Sequence, residues 1–314
     1  MKAVLGIDTS CYTTSVALLR QDGTLAADAR RILAVKPGGR GLSQSEMIYQ
    51  HTRNLPEVFA EAVAAVGERI ELEAVGVSSR PRPQESSYMP AFLVGLGYGR
   101  VIALSHGVNC RLLSHQENHI LAGTWSAGGP STQRFLAVHV SGGTTEVTAV
   151  DTSAAGLGVT LLGGSQDIAA GQFIDRIGVA LGLPFPAGPH LERLAGQDRL
   201  LAVKIPVTVE VCSVSFSGPE THARRLLAQG VSPAAVAAGV QRCVAEALTK
   251  MIRAGVAATG LSDVLLVGGV GANEYIRGHL AGDLGPGPAV RLYYPQARYS
   301  SDNAVGAAVR ALGS

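Results

Sequence analysis

The chain has 314 residues, 46% of them hydrophobic and 16% charged, with a net charge of +2. That composition excludes a disordered chain and leaves room for two domains of ordinary size. The near-neutral balance neither demands nor excludes a nucleic-acid partner, and the short, interrupted apolar runs count against a membrane span.

In chain order, the first segment, "AVLGIDTSCYTTSVALLRQDGTLAADARR", reads as a β-meander: strand, hydroxyl-rich turn, strand, Asp-Gly turn, strand. Residues 43–66 are predicted helical, "EAVGVSS" is a strand, and residues 89–105 form a second helix. "SHQENHILAG" (114–123) is helix-compatible and places His115 and His119 one turn apart. At that spacing two imidazoles share a face, with Cβ atoms roughly 5–6 Å apart, close enough to hold one ion or simply to pack. Gln116 stands where a His-Glu-x-x-His protease has its glutamate, and the carboxylate comes one residue later at Glu117. A metalloprotease of that type is therefore not expected.

From residue 134 the opening pattern returns as "RFLAVHVSGGTTEVTAVDTSAAGLGVTLLGG". This duplication divides the molecule into halves, 1–110 and 131–314, with 111–130 as a helix and linker between them. In the second half, "DIAAGQFIDRIGVALG" is an amphipathic helix stopped by Gly182 with Pro184 beyond it. "GPHLERLA" and residues 232–256 are further helices, and "SDVLLVGGVGANEYI" is a buried strand entering a helix through glycines. The last helix follows "YSSDNAVGAAV", with Ser301 or Asp302 as its expected N-cap. The expected fold is α/β, two halves with duplicated meanders around a nucleotide-binding cleft.

Two loops carry the chemistry of anion binding. "DTSCYTTS" (8–15) and "SGGTTE" (141–146) offer backbone N–H groups and hydroxyls without bulk, which suits phosphate and equally suits a plain hairpin turn. "LLVGGVGAN" (265–273) ends a strand in glycines against which an adenine can lie, with Asn273 in reach. Cys11, Cys110, Cys212 and Cys243 are far apart and form no C-x-x-C pair. With an N-terminus that runs straight into a strand, they read as reduced thiols of a cytoplasmic protein.

In order, "GIDTS", "HQENHILA", "VSGGTTE", "DIAAGQFIDRIGVALGLPFPAGPHLERLA", "VSFSG", "LLVGGVGAN" and "SSDNAVGAA" resemble the TsaD family over nearly the whole chain. Its members are transferases of tRNA threonylcarbamoyladenosine synthesis. The resemblance implies the actin/Hsp70/sugar-kinase fold and one divalent metal held by His115, His119 and Asp302. His139 stands where some members have a metal-binding tyrosine. Imidazole ligands favour iron or zinc over magnesium. It also implies ATP, AMP or threonylcarbamoyl-adenylate bound by Thr9, Ser10, Ser141, Gly142, Gly143, Thr144, Thr145, Asp167, Gly171, Gln172, Asp175, Gly188, Gly268, Gly269 and Asn273. The implied partners are tRNA and TsaB-like and TsaE-like subunits, with no membrane; a dimer is left open.

The chain also departs from the family. Tyr12 and Thr13 replace an acidic pair, and "SSRPRPQESS" puts Arg80 and Arg82 in place of a Gly-Pro-Gly loop. Thr144, Ile168, Gln172 and Glu220 replace, in turn, a histidine or asparagine, an aspartate, a glutamate and a lysine. The metal set and glycine loops survive while groups near the reacting end differ. The expectation is an acyltransferase of TsaD type, not a protease. The alternatives are a paralogue with a different acceptor and a non-catalytic partner subunit regulated by nucleotide.

Overall fold

The computed structural model describes residues 1–35, 42–153, 156–197, 202–285 and 290–313. The chain divides into two compact units, Met1–Ser126 with Arg298–Ser314, and Ala127–Ala297. The first unit therefore runs past residue 110 to take in the helix of His115 and His119, and it regains the chain's last segment. The boundaries expected at 110 and 130 differ because meander repeats mark where a half begins, whereas packing decides where it ends.

The first unit contains β1 (Lys2–Asp8), β2 (Thr13–Arg20), β3 (Leu25–Ile32), α1 (Gln44–Val66), β4 (Glu71–Arg80), α2 (Phe92–His106), β5 (Asn109–Ser114) and α3 (His115–Ala127). The second contains β6 (Arg134–Val140), β7 (Thr145–Asp151), β8 (Gly158–Gly164), α4 (Ala170–Ala180), α5 (Gly188–Ala195), β9 (Val209–Glu210), β10 (Ser213–Val214), α6 (Ser217–Ala228), α7 (Pro233–Thr259), β11 (Asp263–Val267), α8 (Glu274–Leu284) and β12 (Arg291–Tyr293). The chain closes with α9 (Ala297–Ser300) and α10 (Val305–Leu312).

The duplication read from sequence is a duplication of topology. One sheet has the order β3-β2-β1-β4-β5 and the other β8-β7-β6-β11-β12, the same path through five strands. In each, the meander strands pair antiparallel and the two later strands join parallel. The Asp-Gly turn between β2 and β3 forms as expected. Asp22 Oδ1 accepts from Thr24 N at 2.8 Å, and Gly23 takes φ +81°, which favours glycine.

β1 and β2 are buried almost throughout, so helices cover both faces of the first sheet. α1 and α2 pack on β1–β4 with Ile7, Val16, Leu55, Val58 and Val77 in their core. A second core joins Val4, Ala17, Leu19 and Ala74 to Ala304, Val305 and Ala308 of the α10 segment. That approach needs two glycines. A Cβ on Gly6 would lie 2.2 Å from Ala304 O, and one on Gly76 would lie 1.8 Å from Ala307 O.

Two helix starts differ from the sequence reading. The helix expected from residue 167 begins at Ala170, because the Asp167 carboxylate accepts from Ile168 N at 2.6 Å and holds that stretch outside the helix. The last helix is capped by neither Ser301 nor Asp302: it begins at Val305, whose N–H donates to Asn303 Oδ1 at 2.9 Å. No helix among the described residues is long and apolar enough to cross a membrane.

Candidate metal centre and glycine loops

β5 runs directly into α3, so His115 is the first residue of the helix and His119 sits one turn on. Both are nearly buried, at 9% and 2% exposure. Their Nε2 atoms stand 3.1 Å apart, and Asp302 Oδ1 lies 3.6 Å from the first and 3.4 Å from the second. The three ligand atoms lie within 4.8 Å of one another, the grouping that could hold a metal among the described residues.

Electrostatics separate the two rings. Burial pulls His115 down, but Asp8 and Asp302 outweigh it and hold its pKa above the usual range. Burial and the neighbouring His115 hold His119 below it. Two buried imidazole nitrogens facing each other across a carboxylate are costly unless a proton or cation lies among them. The donor set, two nitrogens and one oxygen, fits iron or zinc.

The sequence reading missed the residues that hold this trio. Asp8 is fully buried; its Oδ2 accepts from Ser10 Oγ at 2.6 Å and lies 3.5 Å from His115 Nδ1, while Oδ1 has no hydrogen-bond donor among the described residues. A carboxylate behind a ligating imidazole fixes its ring and raises its basicity. Asn118, beside His119, ties α3 to the Asp302 segment. Its Nδ2 donates to Asn303 O at 2.6 Å and its Oδ1 accepts from Ala307 N at 2.7 Å. Gly306 permits this, since a Cβ there would lie 2.0 Å from Asn118 O. Asn303 Nδ2 in turn donates to Ser301 O at 2.8 Å, bracketing Asp302. The one available signal was the pair of asparagines adjoining two expected ligands.

Of the residues expected to face phosphate in the first unit, both are spent internally. Thr9 Oγ1 donates to Ala91 O and accepts from Gly95 N, each at 3.0 Å, and Ser10 serves Asp8. Tyr12 packs with Leu33, Met47 and Ala91, and Thr13 begins β2 opposite Ile32. Cys11 takes φ +46°, unusual for a side-chain-bearing residue, and burial pushes its thiol far up. Arg80 ends β4 opposite Ser114, the residue before His115, and its Nε is buried without a hydrogen-bond partner among the described residues. Pro81 O accepts from Gln116 N at 3.1 Å, and Arg82 N donates to Ser87 Oγ. The arginine loop is thus stitched to the first turn of α3.

In the second unit, His139 lies on β6 at 6% exposure; a Cβ on Gly268 would lie 3.0 Å from its Cδ2. Ser141 Oγ accepts from Gly143 N and Thr144 N, closing a tight turn. Gly142 and Gly143 have open space where a Cβ would stand, as do Gly188 and Gly269. Gly171 packs on the same turn, where a Cβ would lie 2.4 Å from Ser141 O. Thr145 Oγ1 accepts from Ala170 N at 2.8 Å and Gln172 Oε1 from Ala169 N at 3.1 Å, so both cap the start of α4.

Asp175 Oδ1 accepts from Ala187 N at 2.7 Å ahead of α5, and burial raises its pKa. Asp167 accepts from the amides of Ile168, Phe216 and Ser217 and from the hydroxyls of Ser215 and Ser217. Those donors outweigh its partial burial and hold it well below the usual carboxylate range. Asn273 is engaged at both ends: Oδ1 accepts from Ile276 N at 2.9 Å, and Nδ2 donates to Gln241 Oε1 at 2.8 Å.

The family model for TsaD, tRNA N6-adenosine threonylcarbamoyltransferase, matches residues 33–309. A tRNA N6-adenosine threonylcarbamoyltransferase from Thermus thermophilus is 33% identical over 279 residues, 87% of this chain and 82% of the relative. One from Aromatoleum aromaticum is 30% identical, covering 96% and 87%. Among solved structures, component A of (R)-2-hydroxyglutaryl-CoA dehydratase from Acidaminococcus fermentans superposes with a TM-score of 0.58 at 17% identity over 99% of this chain and 98% of that one. Full-length HypF gives 0.59 at 11% identity, over 99% and 46%. These likenesses, with a hexokinase of the ROK type at 0.50 and 18% identity over 98% of each chain, place the fold in the actin/Hsp70/sugar-kinase class.

Proposed function

Because the chain belongs to the TsaD family, we propose that it transfers threonylcarbamoyl from threonylcarbamoyl-adenylate to N6 of an adenosine in tRNA. The observation that carries this reading is the convergence of His115, His119 and Asp302 on one point. A bound iron or zinc ion there supplies Lewis acidity toward phosphate or carbamoyl oxygens. Asp8 fixes the ring of His115, and Asn118 with Asn303 sets the carboxylate of Asp302.

Nucleotide binding is assigned to the second unit. The open turn at Gly142 and Gly143 takes phosphate, Gly269 leaves room for the base, and Gly188 and Asp175 face the ribose. Asn273 orients the turn before α8 and keeps a second amide N–H for adenine. The protein works in the cytoplasm with TsaB-like and TsaE-like subunits.

A second reading, a paralogue with another acceptor, is favoured by Arg80. Its buried, unpartnered Nε beside the metal-bearing helix suits a carboxylate or phosphate that the family's glycine loop does not select. The test is transfer to tRNA by the purified protein with the partner subunits and threonylcarbamoyl-adenylate. Losing one transition-state contact costs about 2.7–4 kcal/mol, so activity below that of members with the acidic pair is expected. Restoring that pair (Tyr12→Asp, Thr13→Glu) together with Arg80→Gly and Arg82→Gly should raise it. If both forms bind metal and nucleotide yet modify no tRNA, the transferase reading fails and the second one leads.

A further inference from the structure

Apart from the metal centre and the glycine loops, the second unit has a cavity of about 590 Å³ along the start of α6. Its polar lining is Thr208, Ser215, Ser217, Thr221, His222 and Arg225, and no carboxylate lines it. The volume is within the range of small-molecule sites. Gly218, Thr221, His222 and Arg225 follow one another at helical spacing, so α6 turns a single face to the space.

The hydrogen bonds sort that lining into two ends. Arg225 Nη2 lies 2.8 Å from His222 Nδ1. A guanidinium can only donate, so Nδ1 is the acceptor and the ring proton sits on Nε2. What the pair still offers is donors. At the other end, Ser215 and Ser217 each donate to Asp167 Oδ2 at 2.5 Å, and Thr221 donates to Ser217 O at 2.9 Å. Those three hydroxyls have given away their protons and present lone pairs. Asp167 is saturated by its own donors, and Glu220 is shared between Arg176 and Arg224, which leaves Arg225 without an acidic partner among the described residues.

We propose that this cavity seats one nucleotide of an RNA strand, with its phosphate on Arg225 and His222 and its ribose 2′-hydroxyl against the hydroxyl row. Donors at one end and acceptors at the other match a phosphate followed by a sugar hydroxyl, and a DNA strand lacks the second group. The assignment rests on the tRNA acceptor reading above and places an RNA contact on α6, next to Asp167, one of the residues the family resemblance gives to the nucleotide.

The experiment measures binding of an anticodon stem-loop RNA, and of a DNA hairpin of the same sequence, across a salt series. Arg225→Ala is expected to weaken RNA binding about tenfold and to flatten the salt dependence by about one phosphate contact. Thr221→Val is expected to narrow the preference for RNA over DNA. AMP binding and metal content stay as in the wild type. Arg253→Ala, which removes an exposed guanidinium of α7, controls for net charge, and Arg225→Gln replaces the alanine variant if that one melts early.

RNA binding by wild type that Arg225→Ala leaves unchanged overturns this assignment alone. No RNA binding by wild type overturns it together with the acceptor reading. Loss of AMP binding alongside RNA binding in Arg225→Ala makes the cavity a mononucleotide site and overturns the strand.

Discussion

Asn118→Ala tests how the metal trio is assembled. The substitution removes a donor to Asn303 O and an acceptor for Ala307 N, both in a buried setting. A buried backbone group left without its partner costs about 1–3 kcal/mol, so two cost about 2–6 kcal/mol. Domain stability is about 5–15 kcal/mol, and a domain of this size melts about 2–4 °C lower per kcal/mol, so a fall of roughly 4–24 °C is expected. Asp302 loses the bracket between α3 and α10, and losing such an outer partner weakens metal affinity by about 10–100-fold. The assays are a melting curve and metal content after dialysis against a chelator. Thr124→Ala is the control: on the same helix, its hydroxyl only bonds back to Ile120 O. A variant that melts and retains metal like wild type refutes the idea that Asn118 positions Asp302.

Metal content should fall sharply in the His115→Ala/His119→Ala double variant, and equal content in wild type would remove the site. Gly269→Ala should fold normally, its Cβ entering open space with φ outside the positive region, yet weaken AMP binding by calorimetry. Gly268→Ala, at φ +95° with a Cβ 2.3 Å from Val140 O, should lower stability instead. Asp167 has a folded pKa below its unfolded one, so its contribution is complete above the ordinary carboxylate pKa of about 3.9 and is lost as pH falls toward the folded value. Asp167→Asn should therefore flatten the acid limb of a denaturation series, and an unchanged limb would show the carboxylate to be idle.

Local pattern carried the strands. Alternation and repeated turns gave both meanders, and helix spacing placed His115 and His119 on one face, because each signal lies within a few residues. What was not legible depends on distant partners. Asn118 meets Asn303 and Ala307 across 185 and 189 residues, and nothing in "QENH" names them. Asp8 was read as part of a phosphate turn, and only folding sets it behind His115. Thr9, Thr145, Gln172 and Asn273 are polar residues in glycine-rich turns, which suits a ligand and a helix cap alike; the structure uses them as caps and staples.

The first unit is interrupted in sequence by the whole of the second, and this sets an order of events during synthesis. Val4, Ala17, Leu19 and Ala74 face α10, which leaves the ribosome only after Ala127–Ala297 has been made. At about 5–20 residues per second that interval lasts roughly 10–35 s, long beside the time a small domain needs to fold. For that period the nascent first sheet has one apolar face without its cover, and His115 and His119 wait without Asp302. Any metal that the trio takes up would therefore be loaded late, nearly post-translationally, and a ribosome stalled within the second unit holds a chain that can neither bury that face nor complete the trio.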